Sequence, residues 1–349
     1  MRTKSSDSQV YRQLGIIIWV LFIVPILLPP ISSAWEPSKP ITVVIGSNPG
    51  GGFDTVGRHT AMLLPKYLGN KQPVIVKNVP GAAYRIALNL VRRSRPDGHT
   101  IGLVGVNRLQ TLRAFDLIDY NPVQEFTIFG GVWMPPTSIC IVSTHTAVRP
   151  LPEQTWEELK KIKKPVRIAS YANAGEIALI AAFDILKIPY IIVTGYTGTS
   201  DAKGGLLRGE ADIIAGAATM IMLENVKQGD WAPLTTLTEK RYKGVPQLGI
   251  IGLETTPSVA ELGLDEFGPL GKSLSRTWYA PKNMPLEIHS SLESALRKIS
   301  EDPQTKQWSK KTHIPMMWTD RQSIIEVYEK ATAVYKRHKS IALKIGLIE

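Results

Sequence analysis

Short apolar runs alternate along the chain with segments whose apolar residues recur every three to four positions. Ile41-Thr42-Val43-Val44-Ile45 reads as a buried strand, and it ends at the polar, glycine-rich stretch Ser47-Asn48-Pro49-Gly50-Gly51-Gly52. From Asp54 to Tyr67 the residues Val56, Leu63, Leu64 and Tyr67 keep near-helical spacing, and Pro65 is expected to end or kink that helix. Val74-Ile75-Val76 predicts the next strand, Ala82 to Arg93 the next helix, and Pro96-Asp97-Gly98 a turn before a strand from Thr100 to Val106. Strand, helix, strand, helix, strand implies a parallel sheet with right-handed crossovers.

The same logic returns after Cys140, without sequence repetition. Thr155-Trp156-Glu157-Glu158 has the form of a capping box opening a helix to about Ile162. Strands are expected at Val166–Ala169, Ile191–Val193 and Asp212–Ile214, with helices at Glu176–Leu186 and Ser200–Arg208 between them. Ser273 to Ala280 reads as extended, and chain crossings at about 138–142 and 274–280 would form a hinge of two strands. Pro285 to Ser300 predicts a helix. Thr319 and Gln322 predict a capped start to another, with Ile324, Tyr328, Ala331 and Tyr335 on one face.

One apolar run differs in kind. Arg2, Lys4 and Arg12 precede the almost unbroken apolar stretch Leu14–Leu28, and Ser32-Ser33-Ala34 supplies the small residues of a cleavage site. Residues 1–34 are therefore expected to be a secretory signal. The segment is short for a bilayer span and is interrupted by Pro25, Pro29 and Pro30, which argues against a retained anchor. Export places the protein in a periplasm. Removing three basic residues and one acidic residue lowers the net charge of the 349-residue chain from +11 to +9. The basic residues are scattered apart from Lys160-Lys161-Ile162-Lys163-Lys164, so a nucleic-acid partner is not expected, and a cationic surface suits anionic ligands better. Cys140, the sole cysteine, precludes an intrachain disulfide, and its apolar run predicts a buried thiol rather than a nucleophile.

The glycine run carries the most chemistry. Glycines after a buried strand let the backbone turn tightly and present N–H groups beside a helix N-terminus, a geometry that binds anions. No lysine follows the glycines as in a Walker loop, and the dinucleotide spacing is missing. Asp54 could cap its helix or face a ligand through water. No Gly-x-Ser-x-Gly or His-Glu-x-x-His motif occurs, and the six histidines lack metal-ligand spacing. The expectation is binding, with no catalysis, cofactor or metal.

The ordered motifs resemble the Bug/TctC family, the extracytoplasmic solute receptors of tripartite tricarboxylate transporters. Lys39-Pro40-Ile41-Thr42 with Pro49-Gly50-Gly51-Gly52-Phe53-Asp54 and Arg58 is similar to the family's opening motif. Asn78-Val79-Pro80-Gly81-Ala82, Pro96-Asp97-Gly98-His99-Thr100, Tyr120-Asn121-Pro122, Leu151-Pro152, Gly195-Tyr196-Thr197-Gly198, Leu206–Asp212, Trp278 with Ala280-Pro281, and Asp302-Pro303 follow in register. The resemblance covers nearly all of residues 36–349. It implies a type-2 periplasmic-binding fold of two α/β lobes, with lobe one at 35–138 and 277–349 and lobe two at 139–276.

The resemblance also implies a small carboxylate held in the cleft by backbone amides, hydroxyls and waters. One loop would supply Ser47, Asn48, Gly50, Gly51, Gly52, Phe53 and Asp54, and Val106-Asn107 the floor of lobe one. Lobe two would supply Tyr171, Asn173, Gly175 and Glu176 and the loop Thr194, Gly195, Tyr196, Thr197, Gly198 and Thr199. The expected partners are that carboxylate and the membrane permease subunits of such a transporter, served by a monomer. A ligand sensor for a signalling partner and, further off, an enzyme on the same scaffold are the competing readings. Phe53 stands where the family favours a small hydroxyl residue, Gly195 replaces its proline, Thr197 its lysine, and Ala172–Glu176 a serine-rich stretch. Gly216-Ala217-Ala218 lacks the family's polar pair. Phe53 is thus expected either to pack on an apolar part of the ligand or to cover the lobe interior. Glu176 is expected to contact a ligand amine or hydroxyl, or else to cap its helix.

Overall fold

A computed structural model describes residues 35–349 apart from 70, 134–138, 144–154, 172–173, 197–198, 217–225, 227–230, 247–251, 273–274, 313 and 349. The expected signal segment lies outside the described residues, as does the side chain of Cys140. Residues 36–349 form one compact unit.

Ile41–Ile45 is strand β1, its side chains almost all buried, and Gly52–Tyr67 is helix α1. Pro65 lies in the last turn of α1, and the helix runs on past it to Tyr67. β2 is Val74–Asn78. The expected helix start at Ala82 is instead a single turn with positive φ at Ala82, Ala83 and Tyr84, and α2 begins only at Arg85, ending at Arg92. β3 (Thr100–Gly105) runs directly into α3 (Val106–Ala114), a helix its short polar sequence does not announce. A single turn, α4 (Pro122–Glu125), leads into β4 (Phe126–Trp133).

The chain then enters a second sheet through β5 (Ile139–Ser143), α5 (Thr155–Lys161), β6 (Val166–Ala169), α6 (Ala174–Ile185), β7 (Tyr190–Val193), α7 (Thr199–Leu207), β8 (Ile213–Gly216) and β9 (Trp231–Thr236). It returns by the turn α8 (Gly268–Gly271) and β10 (Arg276–Pro281). α9 (Leu286–Glu301), α10 (Pro303–Thr312), β11 (Met317–Asp320), α11 (Arg321–Arg337) and α12 (Lys339–Lys344) close the chain. The cap of α11 is Asp320, whose carboxylate accepts from the Ser323 amide, rather than the Thr319–Gln322 pair.

The first sheet has the order β11-β4-β10-β3-β1-β2 and the second β7-β6-β8-β5-β9. β1, β2 and β3 are mutually parallel, and β10 runs antiparallel between β3 and β4, pairing Arg276 with Gly105 and Val132. β6, β7 and β8 are parallel in the second sheet, with β5 antiparallel to β8 and β9. Each sheet has its own apolar core. One gathers Val44, Leu88, Val104, Leu109, Ile128 and Tyr328. The other gathers Ile168, Ile180, Phe183, Ile213 and Phe267 together with Ile341, Ala342 and Ile345 of the C-terminal segment. The last helix thus adds to the second sheet's core although β10 and β11 belong to the first sheet.

Candidate functional site

Ligands in open α/β sheets bind beyond the carboxyl ends of the parallel strands, where helices begin and leave amides unpaired. In the first sheet that edge carries the ends of β1 and β3 and the start of antiparallel β10. Gly51 caps α1 with extended backbone and no side-chain hydrogen bond, and Gly50, Gly51 and Gly52 are exposed. α3 likewise starts at Gly105 without a side-chain cap.

The glycine loop is braced from behind. Asp54, 3% exposed, reaches back from the first turn so that one carboxylate oxygen accepts from the Gly50 amide at 2.8 Å and from Arg58 Nε at 2.9 Å. Arg58 Nη2 donates to Asn78 Oδ1, and Asn78 Nδ2 donates to the Ser47 carbonyl at 3.0 Å. Asp54 does not cap its helix: both bonds fall on Oδ2, and Oδ1 is buried without a hydrogen-bond partner. The hydrogen bond from Arg58, helped by the Gly50 amide and Asn78, outweighs burial and lowers its pKa to about 2.

Phe53 is half-buried and stands edge-on to Tyr84, with ring centroids 6.0 Å apart. Tyr84, set by its left-handed backbone, lies on Gly46, where a Cβ would come within 2.3 Å of the ring. Asn107 lies over Gly105 in the first turn of α3. Two cations adjoin this aromatic pair. Arg276, 5% exposed, places its guanidinium 5.3 Å from the Phe53 centroid and beside Gly52, where a Cβ would come 2.9 Å from Nη2. Its Nε and Nη1 are buried without a hydrogen-bond partner, and burial pulls its pKa down to about 10, so it stays charged at neutral pH. Arg108 lies 5.6 Å from the Tyr84 centroid, and burial lowers its pKa too.

The second sheet offers a different edge. Glu176, fully buried near the start of α6, accepts from Ser170 Oγ at 2.6 Å and from the Tyr171 amide at 2.9 Å. It ties the end of β6 to its own helix. The Tyr171 hydroxyl donates to the Ala215 carbonyl, and Gly175 is half-buried beside them. Thr194 and Gly195 are exposed, Gly195 with φ of 102°. Tyr196 turns onto its own lobe, its ring against Gly205 and its hydroxyl donating to Glu210. Asn173, Thr197 and Gly198, and the side chain of Thr199, lie outside the described residues.

Described histidines serve the packing: His59 stacks on Trp308 and bonds Thr305, and His289 stacks on Phe129. Among the described residues no group of three metal-ligating side chains forms, and no helix is long and apolar enough to cross a membrane.

The family described as "Tripartite tricarboxylate transporter family receptor" matches residues 56–347. The chain belongs to this family. Protein BugT of Bordetella pertussis is 28% identical over 303 residues, 79% of this chain and 80% of its own length. A TctC solute-binding protein from Polaromonas, solved without ligand, superposes with a TM-score of 0.70 at 22% identity, covering 88% of this chain and 99% of that one. An R. palustris protein solved with adipate superposes with a TM-score of 0.64 at 17% identity, covering 88% and 98%. The receptor fold is thus the type-2 periplasmic-binding architecture, two α/β lobes with mixed sheets.

Three residues beside the glycine loop, Tyr84, Arg108 and Arg276, were not expected from the sequence. For Arg276 a signal existed: it is a lone cation in Ser275-Arg276-Thr277-Trp278-Tyr279-Ala280, a strand that is buried throughout. Nothing local marks Tyr84 or Arg108.

Proposed function

We infer that the protein is an extracytoplasmic receptor that captures a small organic carboxylate and delivers it to the permease subunits of a tripartite tricarboxylate-type transporter. The observation that carries this reading is the uncapped start of α1 in an exposed glycine loop, with the buried Arg276 guanidinium alongside it. Unpaired amides and the helix dipole favour negative charge, and a fixed cation favours it further. Lobe one, residues 35–138 and 277–349, would take the carboxylate first. Lobe two, residues 139–276, would then close over it with the loop from Thr194 to Thr199.

No bond is made or broken. A ligand favours closure only by the extra contacts it makes in the closed form, and a micromolar dissociation constant corresponds to about −8 kcal/mol. Residues 1–34 would direct export to the periplasm, and the closed lobes would form the surface the permease reads. The adipate-bound relative makes a carboxylate ligand a reasonable starting point.

Protein purified from the periplasmic fraction should show a thermal midpoint that rises with concentration for at least one of a panel of mono-, di- and tricarboxylates and aromatic acids. A flat response to the whole panel refutes the reading. Phe53→Thr should shift preference between aromatic and aliphatic acids, and an unchanged ranking would leave Phe53 as a cover for the lobe interior.

A further inference from the structure

β11 is an edge of the first sheet. It pairs antiparallel with β4 on one side, and among the described residues no strand lies on the other. An open edge offers backbone N–H and C=O groups to another chain, and proteins guard such edges with lysine, proline or a bulge. The opposite edge strand, β2, contains Lys77 and follows Pro73. Met317-Trp318-Thr319-Asp320 of β11 has neither residue, and its register with β4 is unbroken. Its shortness is its one guard. Met317, meanwhile, is an apolar side chain left 39% exposed.

This edge lies between two hollows. The sheet order β2-β1-β3 with right-handed crossovers puts α1 and α2 on opposite faces. α9 packs on α1, whereas α11 shares its core with α2. One hollow, of about 460 Å³, is lined by β11 and α11, and the other, of about 600 Å³, by β11, α9 and α10. Met317 and Trp318 line both, so the two hollows meet at the strand. Side chains of a strand point alternately to the two faces of its sheet. A segment added beside β11 would therefore drop its side chains into the two hollows in turn.

Charge decides which segment fits. In the first hollow Glu326 pairs with Lys330 at 2.6 Å, and in the second Glu301 pairs with Arg297 at 3.3 Å. Lys272, Lys306 and Lys310 remain, with no ion pair among the described residues, against the lone carboxylate of Glu239. A second copy of the chain would bring two such cationic rims together, which like charge opposes. An acidic partner is favoured by the same rim.

We propose that the edge of β11 is a docking site for an extended acidic segment of a partner protein, which joins the first sheet as an added strand. Its backbone bonds β11, its alternate side chains fill the two hollows, and its carboxylates meet Lys272, Lys306 and Lys310. This goes beyond the carboxylate reading and does not rest on it, since none of these residues belongs to the glycine loop.

The probe is a fluorescent octapeptide alternating Glu with Val, with two controls: the same peptide with Lys for Glu, and the acidic peptide N-methylated throughout. Anisotropy titrations should show the acidic peptide binding the wild type at least about tenfold more tightly than either control. Met317→Glu and the double variant Lys306→Glu/Lys310→Glu should each lose about tenfold. Their thermal midpoints should stay near wild type, because all three side chains are exposed. Should Met317→Glu fail to fold, the double variant decides. Equal binding of acidic and basic peptides, undiminished binding of the N-methylated one, or undiminished binding by the double variant overturns the proposal. So does a wild type that binds no peptide. A wild-type dimer in sedimentation equilibrium that Met317→Glu dissociates would give the edge to a second copy and likewise overturn it. None of these results touches the thermal response to carboxylates, so the two readings fail separately.

Discussion

The carboxyl edges of the two sheets treat charge in opposite ways. In the second sheet Glu176, beyond the carboxyl end of β6, is held by Ser170 and Tyr171, and at the opposite, amino ends of the strands Arg167 bonds Asp212 and Arg208 bonds Glu210, each through two nitrogens. In the first sheet one oxygen of Asp54 braces the loop while the other is buried without a partner, and Arg108 and Arg276 form no ion pair among the described residues and lie against aromatic rings. Satisfied groups fix a surface, whereas unsatisfied ones await a ligand. On the proposed function, the contrast would give capture to the first lobe and enclosure to the second.

Four changes probe that contrast. The largest effect is expected at Glu176→Ala, which leaves the Ser170 hydroxyl and the Tyr171 amide without their acceptor and should cost about 2 to 4 kcal/mol in urea unfolding. A variant that keeps its stability but loses ligand affinity would move Glu176 from the frame to the binding surface. Ala83→Gly should raise stability by about 1 kcal/mol, because a left-handed backbone at φ of 51° strains alanine and not glycine. If ligand affinity falls at the same time, the strained turn is what holds Tyr84 in place.

The third change is read against pH. Asp54 and Asp302 both have pKa values lowered to about 2, Asp54 chiefly by hydrogen bonding from Arg58 and Asp302 by hydrogen bonding from Lys66 and then Tyr67. A folded pKa below the unfolded one gives stability that is present above about pH 4 and lost as pH falls towards 2. Asp54→Asn should flatten part of that acid limb in urea midpoints taken from pH 2 to 6, and an unchanged limb would mean the brace carries no net stability. The smallest effect is expected from Arg208→Ala: its pair with Glu210 is exposed, so midpoint and affinity should both stay within measurement error. A marked loss of affinity would show that the second lobe also uses charge.

The sequence was legible wherever local chemistry decides. β1, the glycine loop and the helix after it follow from an apolar run, three glycines and helical spacing, and the motifs in their order led to the family. The start of α2 was misplaced because Ala82, Ala83 and Tyr84 look like helix formers, and only the fold holds them left-handed. Strands β4, β9 and β11 went unread. β4 is broken by Gly130-Gly131, where the β10 backbone and Trp318 approach too closely for a side chain, a constraint set by strands distant in sequence.

What the sequence determined by itself was the material for the proposed anion site, since glycines after a buried strand expose amides wherever they occur. Whether those amides stand beside a charge was decided by tertiary structure. Arg276 lies more than 220 residues from Gly52 along the chain, and it reaches the loop because β10 inserts antiparallel between β3 and β4. Sheet pairing acts over any chain distance, whereas propensity and periodicity act over a few residues, so the first set the scaffold and the second left the charge of the site unwritten.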